Sequence, residues 1–425
     1  MVSPARSWRL LAAISASSLV LAACGGGDSD STEPEEGGSA AQGDGTLVIG
    51  SLLPQTGNLA FLGPPEFAGV ELAIKEINDA GGVLGKPVTY IEGDSGDTQQ
   101  DVANPTVDRL LAANADVIVG AASSGVSFTV IDKITSAGAV MYSPANTSPK
   151  FTDYDDNGLY FRTAPSDVLQ GRILGETILA DGHQNVGILA LQDPYGEGLA
   201  DNVGSTITDA GASLAPEQPV FYDPAASNFD AQVNQVKAAN PDAIVLIGFE
   251  ESAKVIQSLV AAGIGPQQVP LYLVDGNLGN ALGEDLPPGT LKGTKGSLPG
   301  AEATTEFRKR LATVDPALKD FSYAAESYDA VITSALAAIA AESDAGEALA
   351  AELPGVTRDG EKCTSFEQCK TLLEDGTDID YDGISGPIEL SDKGDPTSAI
   401  VGIYTYGPDN KLLAEVDYQP GELEE

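Results

Sequence analysis

The sequence predicts an α/β protein built as two doubly wound parallel-sheet lobes, and three of its features do so. Short β-branched runs such as Val117-Ile118-Val119 lack polar alternation and read as strands buried on both faces. Such runs recur at residues 47–53, 88–91, 117–119, 139–142, 186–191, 243–247 and 271–274, with amphipathic helical patterns between them. Strand–helix alternation at this spacing implies parallel sheets covered by helices on both faces. Seven strands in 425 residues are too many for one modest sheet, and two lobes accommodate them.

The elements follow in order. A helix over 66–79 places Val70, Ile74 and Ile77 on one face and stops at Ala80-Gly81-Gly82. A helix over 166–180 opens with Ser166 as its cap after Pro165, and one over 251–262 ends at Gly263. After Thr304 the order changes to two long Ala-rich helices, a cysteine loop and a β-rich tail at 386–390, 400–406 and 412–418.

The chain is organised around residues 117–149. Ala121-Ala122-Ser123-Ser124-Gly125 follows a strand and opens a helix marked by Val126, Val130, Ile131 and Ile134. The first turn of that helix leaves N–H groups unpaired at the positive end of its dipole. Ser143-Pro144-Ala145-Asn146-Thr147 follows the next strand, again at its carboxyl end, the edge where open α/β sheets bind ligands. Two such loops offer hydroxyls and N–H groups to a small anion such as a carboxylate. The plainer alternative makes Ser124 a helix cap and Thr147 a turn residue.

The first residues specify export. Arg6 and Arg9 precede an apolar run over 10–20, and Leu21-Ala22-Ala23-Cys24-Gly25 follows. A positive flank, a short apolar core and small residues before the cut make a secretory signal peptide over 1–23. The Leu-Ala-Ala-Cys ending resembles a bacterial lipobox, in which Cys24 is acylated and becomes the new N-terminus. Residues 24–45 then form a lipidated, disordered tether: 25–45 hold six acidic residues and no Lys or Arg, too little apolar area for order. Folded structure is expected from Thr46.

Formal net charge is −41, and loss of Arg6 and Arg9 with the signal takes it to −43. That charge excludes nucleic acid as a partner. Nothing after residue 24 approaches the ~20 apolar residues of a membrane-spanning helix, so attachment is expected through lipid alone. Cys363 and Cys369, in CTSFEQC, are expected to close a local disulfide in an exported protein.

Two other strings carry chemistry on paper. Asp378-x-Asp380-x-Asp382-Gly383 with Glu389 fits a calcium-loop pattern, but Gly386-Pro387 breaks the helix that such a loop requires. Gly93-Asp94-Ser95-Gly96 matches a serine-protease nucleophile string, yet His183, the only histidine, stands in a solvated Asp-Gly-His-Gln turn. A secreted serine hydrolase is thereby the remote alternative. No metal and no cofactor are expected.

From Thr46 to about Gly421 the chain resembles the type I solute-binding proteins of ABC importers, the leucine/isoleucine/valine-binding family. The resemblance rests on collinear stretches: residues 49–57 (IGSLLPQTG), 77–85 (INDAGGVLG), 119–124 (VGAASS), 143–147 (SPANT), Tyr195-Gly196-Glu197-Gly198 and Gly386-Pro387 before Ile388. It implies a periplasmic binding protein type I fold with a three-strand hinge, its crossovers near 163–167, 296–300 and 394–400. The N-lobe would hold residues 46–164 plus 300–395, and the C-lobe 165–299 plus 396–425.

The resemblance also implies ligand residues. Ser124, Ala145 and Thr147 hold an α-carboxylate, and Asp275 meets an ammonium from the C-lobe. Phe249 supplies an aromatic contact, Leu62 and Phe61 wall the side-chain pocket, and Tyr195 is a lid residue. The chain departs from the family's pattern at three of these positions: Leu62 and Phe249 stand where tyrosines are usual, and Asp275 is shorter than the usual Glu. The implied role is capture of a small amphipathic amino acid or amide for ABC permease subunits. A ligand sensor signalling to a membrane receptor is the alternative on the same fold.

Overall fold

The β-branched runs fold as fully buried parallel strands. β1 (Val48–Leu52), β2 (Thr89–Ile91), β3 (Val117–Gly120), β4 (Val140–Ser143) and β5 (Tyr160–Arg162) form one parallel sheet in the order β2-β1-β3-β4-β5. This is a computed structural model, and it describes residues 42–423. The expected signal peptide, Cys24 and the tether up to residue 41 lie outside the described residues.

Alternation along each strand assigns its two faces. Val117 and Val119 of β3 pack with Val331 and Leu336 of the helix Ala324–Ala340, while Ile118 packs with Val126 and Val130 of the helix Ser124–Ser136. Both faces are thus covered by helices, which is why these runs carry no polar alternation.

The second sheet uses β6 (Asn185–Leu191), β7 (Ser213–Leu214), β8 (Val220–Tyr222), β9 (Ala243–Ile247), β10 (Leu271–Leu273) and β11 (Lys295–Pro299). A two-stranded piece, β12 (Glu361–Cys363) and β13 (Ile379–Tyr381), stands apart. β14 (Ser398–Thr405) and β15 (Asp417–Glu422) then complete the order β15-β14-β11-β10-β9-β6-β7, with β8 beside β6 and the last two strands antiparallel. The chain therefore passes between the sheets three times, at 163–166, 300–304 and 391–397. Arg162, at the end of β5, ties the first passage to the third. Its backbone N–H donates to Gly394 O at 3.0 Å, and its guanidinium Nε pairs with Asp395 Oδ1 at 2.6 Å.

Four expectations need correction. Order begins before Thr46: the N–H groups of Asp44, Gly45 and Thr46 donate to the Asp344 carboxylate at 2.9–3.0 Å. The region after Thr304 holds one long helix, Ala324–Ala340, and shorter ones at Thr305–Leu311 and Gly346–Glu352. Residues 386–390 form no strand, only isolated bridges, because Pro387 lacks a donor and Glu389 adopts a left-handed φ of 37°. The last strand starts at Asp417 rather than 412 and carries Pro420, which is tolerated because β15 is an edge.

Cys363 Sγ and Cys369 Sγ lie 2.05 Å apart, joining β12 to the helix Phe366–Glu374. Among the described residues no helix is long and apolar enough to cross a membrane.

Candidate functional site

The carboxyl ends of β3 and β4 build one wall of a cleft. Ser123, not Ser124, caps the helix Ser124–Ser136, its Oγ accepting from Val126 N–H at 3.3 Å. Ser124 is the first helical residue, and its Oγ accepts from Ser148 N–H at 3.4 Å. The N–H groups of Ser124 and Gly125 have no acceptor inside the helix.

The second loop is locked by its own polar groups. Ser143 Oγ donates to Ala121 O at 2.7 Å and accepts from Asn146 N–H at 2.9 Å. Asn146 Nδ2 donates to Ala122 O at 2.8 Å, and Tyr160 OH donates to Asn146 Oδ1 at 3.0 Å. Ala145 is thereby held facing the cleft.

The opposite wall carries Asp275, placed by β10. Its Oδ1 accepts from Tyr195 OH at 2.7 Å and Gln170 Nε2 at 2.9 Å, and its Oδ2 accepts from Tyr323 OH at 2.8 Å. Burial pushes the Asp275 carboxyl up, against the downward pull of these three donors. The walls stand close together, and the free space between them is about 10 Å³, on the order of one water.

Of the expected residues, Ser124, Ala145, Leu62, Tyr195, Phe249 and Asp275 all line this space. No Lys or Arg does, so the anion-compatible end is neutral donors and the other end is acidic. Phe61 lies outside it, lining a neighbouring apolar space of about 170 Å³ that also touches Phe249 and Gly276. Thr147 does not line the cavity either. It is buried, its carbonyl accepts from Asp167 N–H at 2.7 Å, and its Oγ1 lacks a hydrogen-bond partner. Tyr195 is a wall rather than a lid: it is buried under Asp275 and its ring stacks on Phe249 with centroids 5.5 Å apart.

Sequence reasoning missed Tyr323, which lines the cavity beside Asp275, and Gln170, which braces Asp275. Gln170 had a legible signal in its place on the buried face of the helix Asp167–Ala180, beside Leu169 and Ile173. Tyr323 had none.

The competing strings resolve structurally. Asp94 of the Gly-Asp-Ser-Gly string organises a turn, accepting from Thr56 Oγ1 at 2.6 Å and Gly96 N–H at 2.8 Å; Ser95 Oγ donates to Gly96 O at 3.3 Å. His183 rests against Tyr272, far along the chain from either serine. In the calcium-like string, the Lys362 ammonium sits 2.8 Å from Asp380 and 2.9 Å from Asp382, where a cation would have to be.

Two doubly wound lobes around a small cleft with a neutral donor wall and an acidic wall define a small-molecule-binding protein. The chain belongs to the family described as periplasmic binding protein, whose model matches residues 46–376. It is a family of binding proteins, not enzymes. The chain is 28% identical over 364 residues to Leu/Ile/Val-binding protein homolog 1 of Brucella suis, covering 82% of this chain and 87% of that one. It is 25% identical over 361 residues to the chemotactic signal transduction system substrate-binding protein BasB of Halobacterium salinarum, covering 81% and 83%. Its fold is similar to the branched-chain amino acid transporter substrate-binding protein LivJ of Streptococcus pneumoniae in complex with isoleucine. There the TM-score is 0.71 at 19% identity, with 88% of this chain and 100% of that one covered.

Proposed function

We propose that this chain is a lipid-anchored substrate-binding protein on the extracytoplasmic face of the cell membrane. It captures a branched-chain-type amino acid, or a small amide, and delivers it to the permease subunits of an ABC importer. The observation that carries the reading is the polarity of the cavity. Ser124 and the start of its helix face Asp275 across an apolar floor of Leu62, Ala145 and Phe249. That arrangement suits a carboxylate at one end, an ammonium at the other and an apolar side chain between them. The name of the Brucella relative and the isoleucine in the pneumococcal structure agree with this class of ligand. Cys24 carries the anchor, and the lobes 46–164 plus 300–395 and 165–299 plus 396–425 close over the ligand by a hinge.

A thermal-shift screen against the amino acids and small amides tests this. A ligand at about 100 times its Kd adds roughly 2.7 kcal/mol of stability, so leucine, isoleucine or valine is expected to raise the melting temperature. No shift with any amino acid or amide counts against the reading. The halobacterial relative favours a second one, a sensor passing ligand state to a membrane receptor. A neighbouring permease gene supports import, and a neighbouring receptor gene supports sensing.

A further inference from the structure

Beside the cavity lies a group that the proposed capture does not use. Asp167 opens the helix Asp167–Ala180, is 0% exposed, and neither of its carboxyl oxygens has a hydrogen-bond partner. Thr147 Oγ1 and Gln170 Oε1 are likewise buried and unpartnered. The charged and titratable groups facing Asp167 are Asp275 after β10, Asp193 at the start of the next helix, Tyr195, Tyr323 and Arg162. Arg162 is the one cation among these, and it is already committed. Its Nε and Nη2 bind Asp395 at 2.6 and 3.0 Å, and its Nη1 binds the carbonyls of Asn146 and Ser148.

Asp167 and Asp275 are therefore buried near enough to repel each other, and the one cation facing Asp167 is already paired. Two carboxylates so placed do not both ionise cheaply. Asp275 has three donors and Asp167 has no geometrically sound one, so the negative charge belongs on Asp275. Burial, and then the Asp275 charge, push the Asp167 carboxyl well above its ordinary range.

We propose that Asp167 carries a proton in the ligand-free protein and releases it when a cationic group enters the cleft, coupling capture to proton release. The coupling rests on the amino-acid reading above; the buried proton does not. An ammonium brings three N–H donors. Asp275 has three of its roughly four acceptor positions filled, so one is left for that group, whose positive charge then stands near Asp167. The balance is simple: the Asp167 O–H bond breaks, its proton goes to solvent, and the ammonium replaces it as the positive charge beside the carboxylate. By linkage, affinity rises with pH while the free protein holds that proton, by up to about tenfold per pH unit.

Infrared difference spectroscopy tests the proton directly. At neutral pH the ligand-free wild type should show a protonated-carboxyl stretch that Asp167→Asn lacks, the variant's fold being checked by circular dichroism. Aspartate labelled with carbon-13 at the carboxyl separates aspartates from the buried glutamates, and an Asp116→Asn background removes the other aspartate pushed to about 8, so the band can be read with Asp167 intact. Calorimetric titration with L-isoleucine in phosphate and in Tris then counts protons released, with a buffer-dependent heat expected for wild type and a reduced dependence for Asp167→Asn. Absence of the infrared band overturns the inference whether or not isoleucine binds. Equal heats in the two buffers overturn the coupling. No heat at all, with the band present, overturns the amino-acid reading and leaves the buried proton standing.

Discussion

The hydroxyl of Tyr323 donates to Oδ2 of Asp275 at 2.8 Å, joining elements that pack on different sheets. Tyr323 precedes the helix Ala324–Ala340 on the first sheet, and Asp275 follows β10 of the second. Tyr323 holds a left-handed φ of 58°, a conformation costing of order 1 kcal/mol or more for a residue with a Cβ, kept only where neighbours enforce it. This bond makes the wall that carries Asp275 depend on a residue beside the first sheet. Tyr323→Phe should widen the ligand-free protein in small-angle scattering. It should also weaken capture by ~1.5–3 kcal/mol, the worth of a hydrogen bond to a charged group. An unchanged scattering curve with unchanged affinity would remove the cross-lobe role.

Asp275 itself should matter more. It is 5% exposed and faces no basic side chain, so a ligand cation is what balances it. Truncating one side of a buried charge pair costs about 2–5 kcal/mol, or roughly 30- to 5,000-fold in Kd. Asp275→Ala is expected to fall in that range with the best ligand from the screen, and Ser124→Ala to lose less, because backbone donors remain. An Asp275→Ala affinity within about threefold of wild type, under ~1 kcal/mol, argues that Asp275 only shapes its turn.

The sheets were legible because burial on both faces leaves uninterrupted β-branched runs, as at Val117–Gly120 and Ala243–Ile247. The loops after β3 and β4 were legible because small and hydroxylated residues directly follow such runs. What failed was one-residue detail. Ser123 and Ser124 are chemically alike, and only backbone geometry shows that the first caps the helix and the second is free to face the cleft. The tail failed for another reason: residues 386–390 are apolar enough for a strand, but Pro387 and a left-handed Glu389 forbid a ladder. Tyr323 was invisible because it joins the site from about 48 residues beyond Asp275, across the cleft.

Anchoring has its own test. If Cys24 carries the only attachment, Cys24→Ala should move the protein from the membrane fraction to the soluble one, since no helix among the described residues can span a bilayer. Full retention of the variant on membranes argues against a lipid anchor.

The first and third passages between the lobes should be sensitive to one charge. Arg162 is 0% exposed and, among the described residues, Asp395 is its sole carboxylate partner. Removing one member of a buried ion pair costs about 3–5 kcal/mol because the other charge stays buried. Asp395→Ala should lower stability to denaturant by that order, and Arg162→Met combined with Asp395→Ala should recover part of it. A double variant no more stable than the single one would show that the pair is not what Asp395→Ala disturbs.

The protein should also lose stability as pH rises, and Glu326 supplies part of the reason. Glu326 lies buried one turn beyond Tyr323, against the second passage, where a Cβ on Gly300 would collide with its Oε1. On the facing helix Gly63–Asp79, Glu66 is 0% exposed and both of its carboxyl oxygens lack partners. Burial pushes Glu326 up to about 8, with Asp329 adding to the rise, and burial then Glu326 push Glu66 well above the usual carboxylate range. An unfolded glutamate titrates near 4.3. The folded state therefore binds the Glu326 proton more tightly than the unfolded state does. The resulting stability is fully present below about pH 4 and is lost as pH rises through 8, by ~1.4 kcal/mol per unit within that window. Glu326→Gln keeps the shape and cannot ionise. Its melting temperature should match wild type near pH 5 and exceed it near pH 8, whereas Asp116, also pushed to about 8, affects both proteins alike. Parallel melting curves across that range would mean that Glu326 keeps its charge, and a cation or water chain would then have to reach it between the two helices.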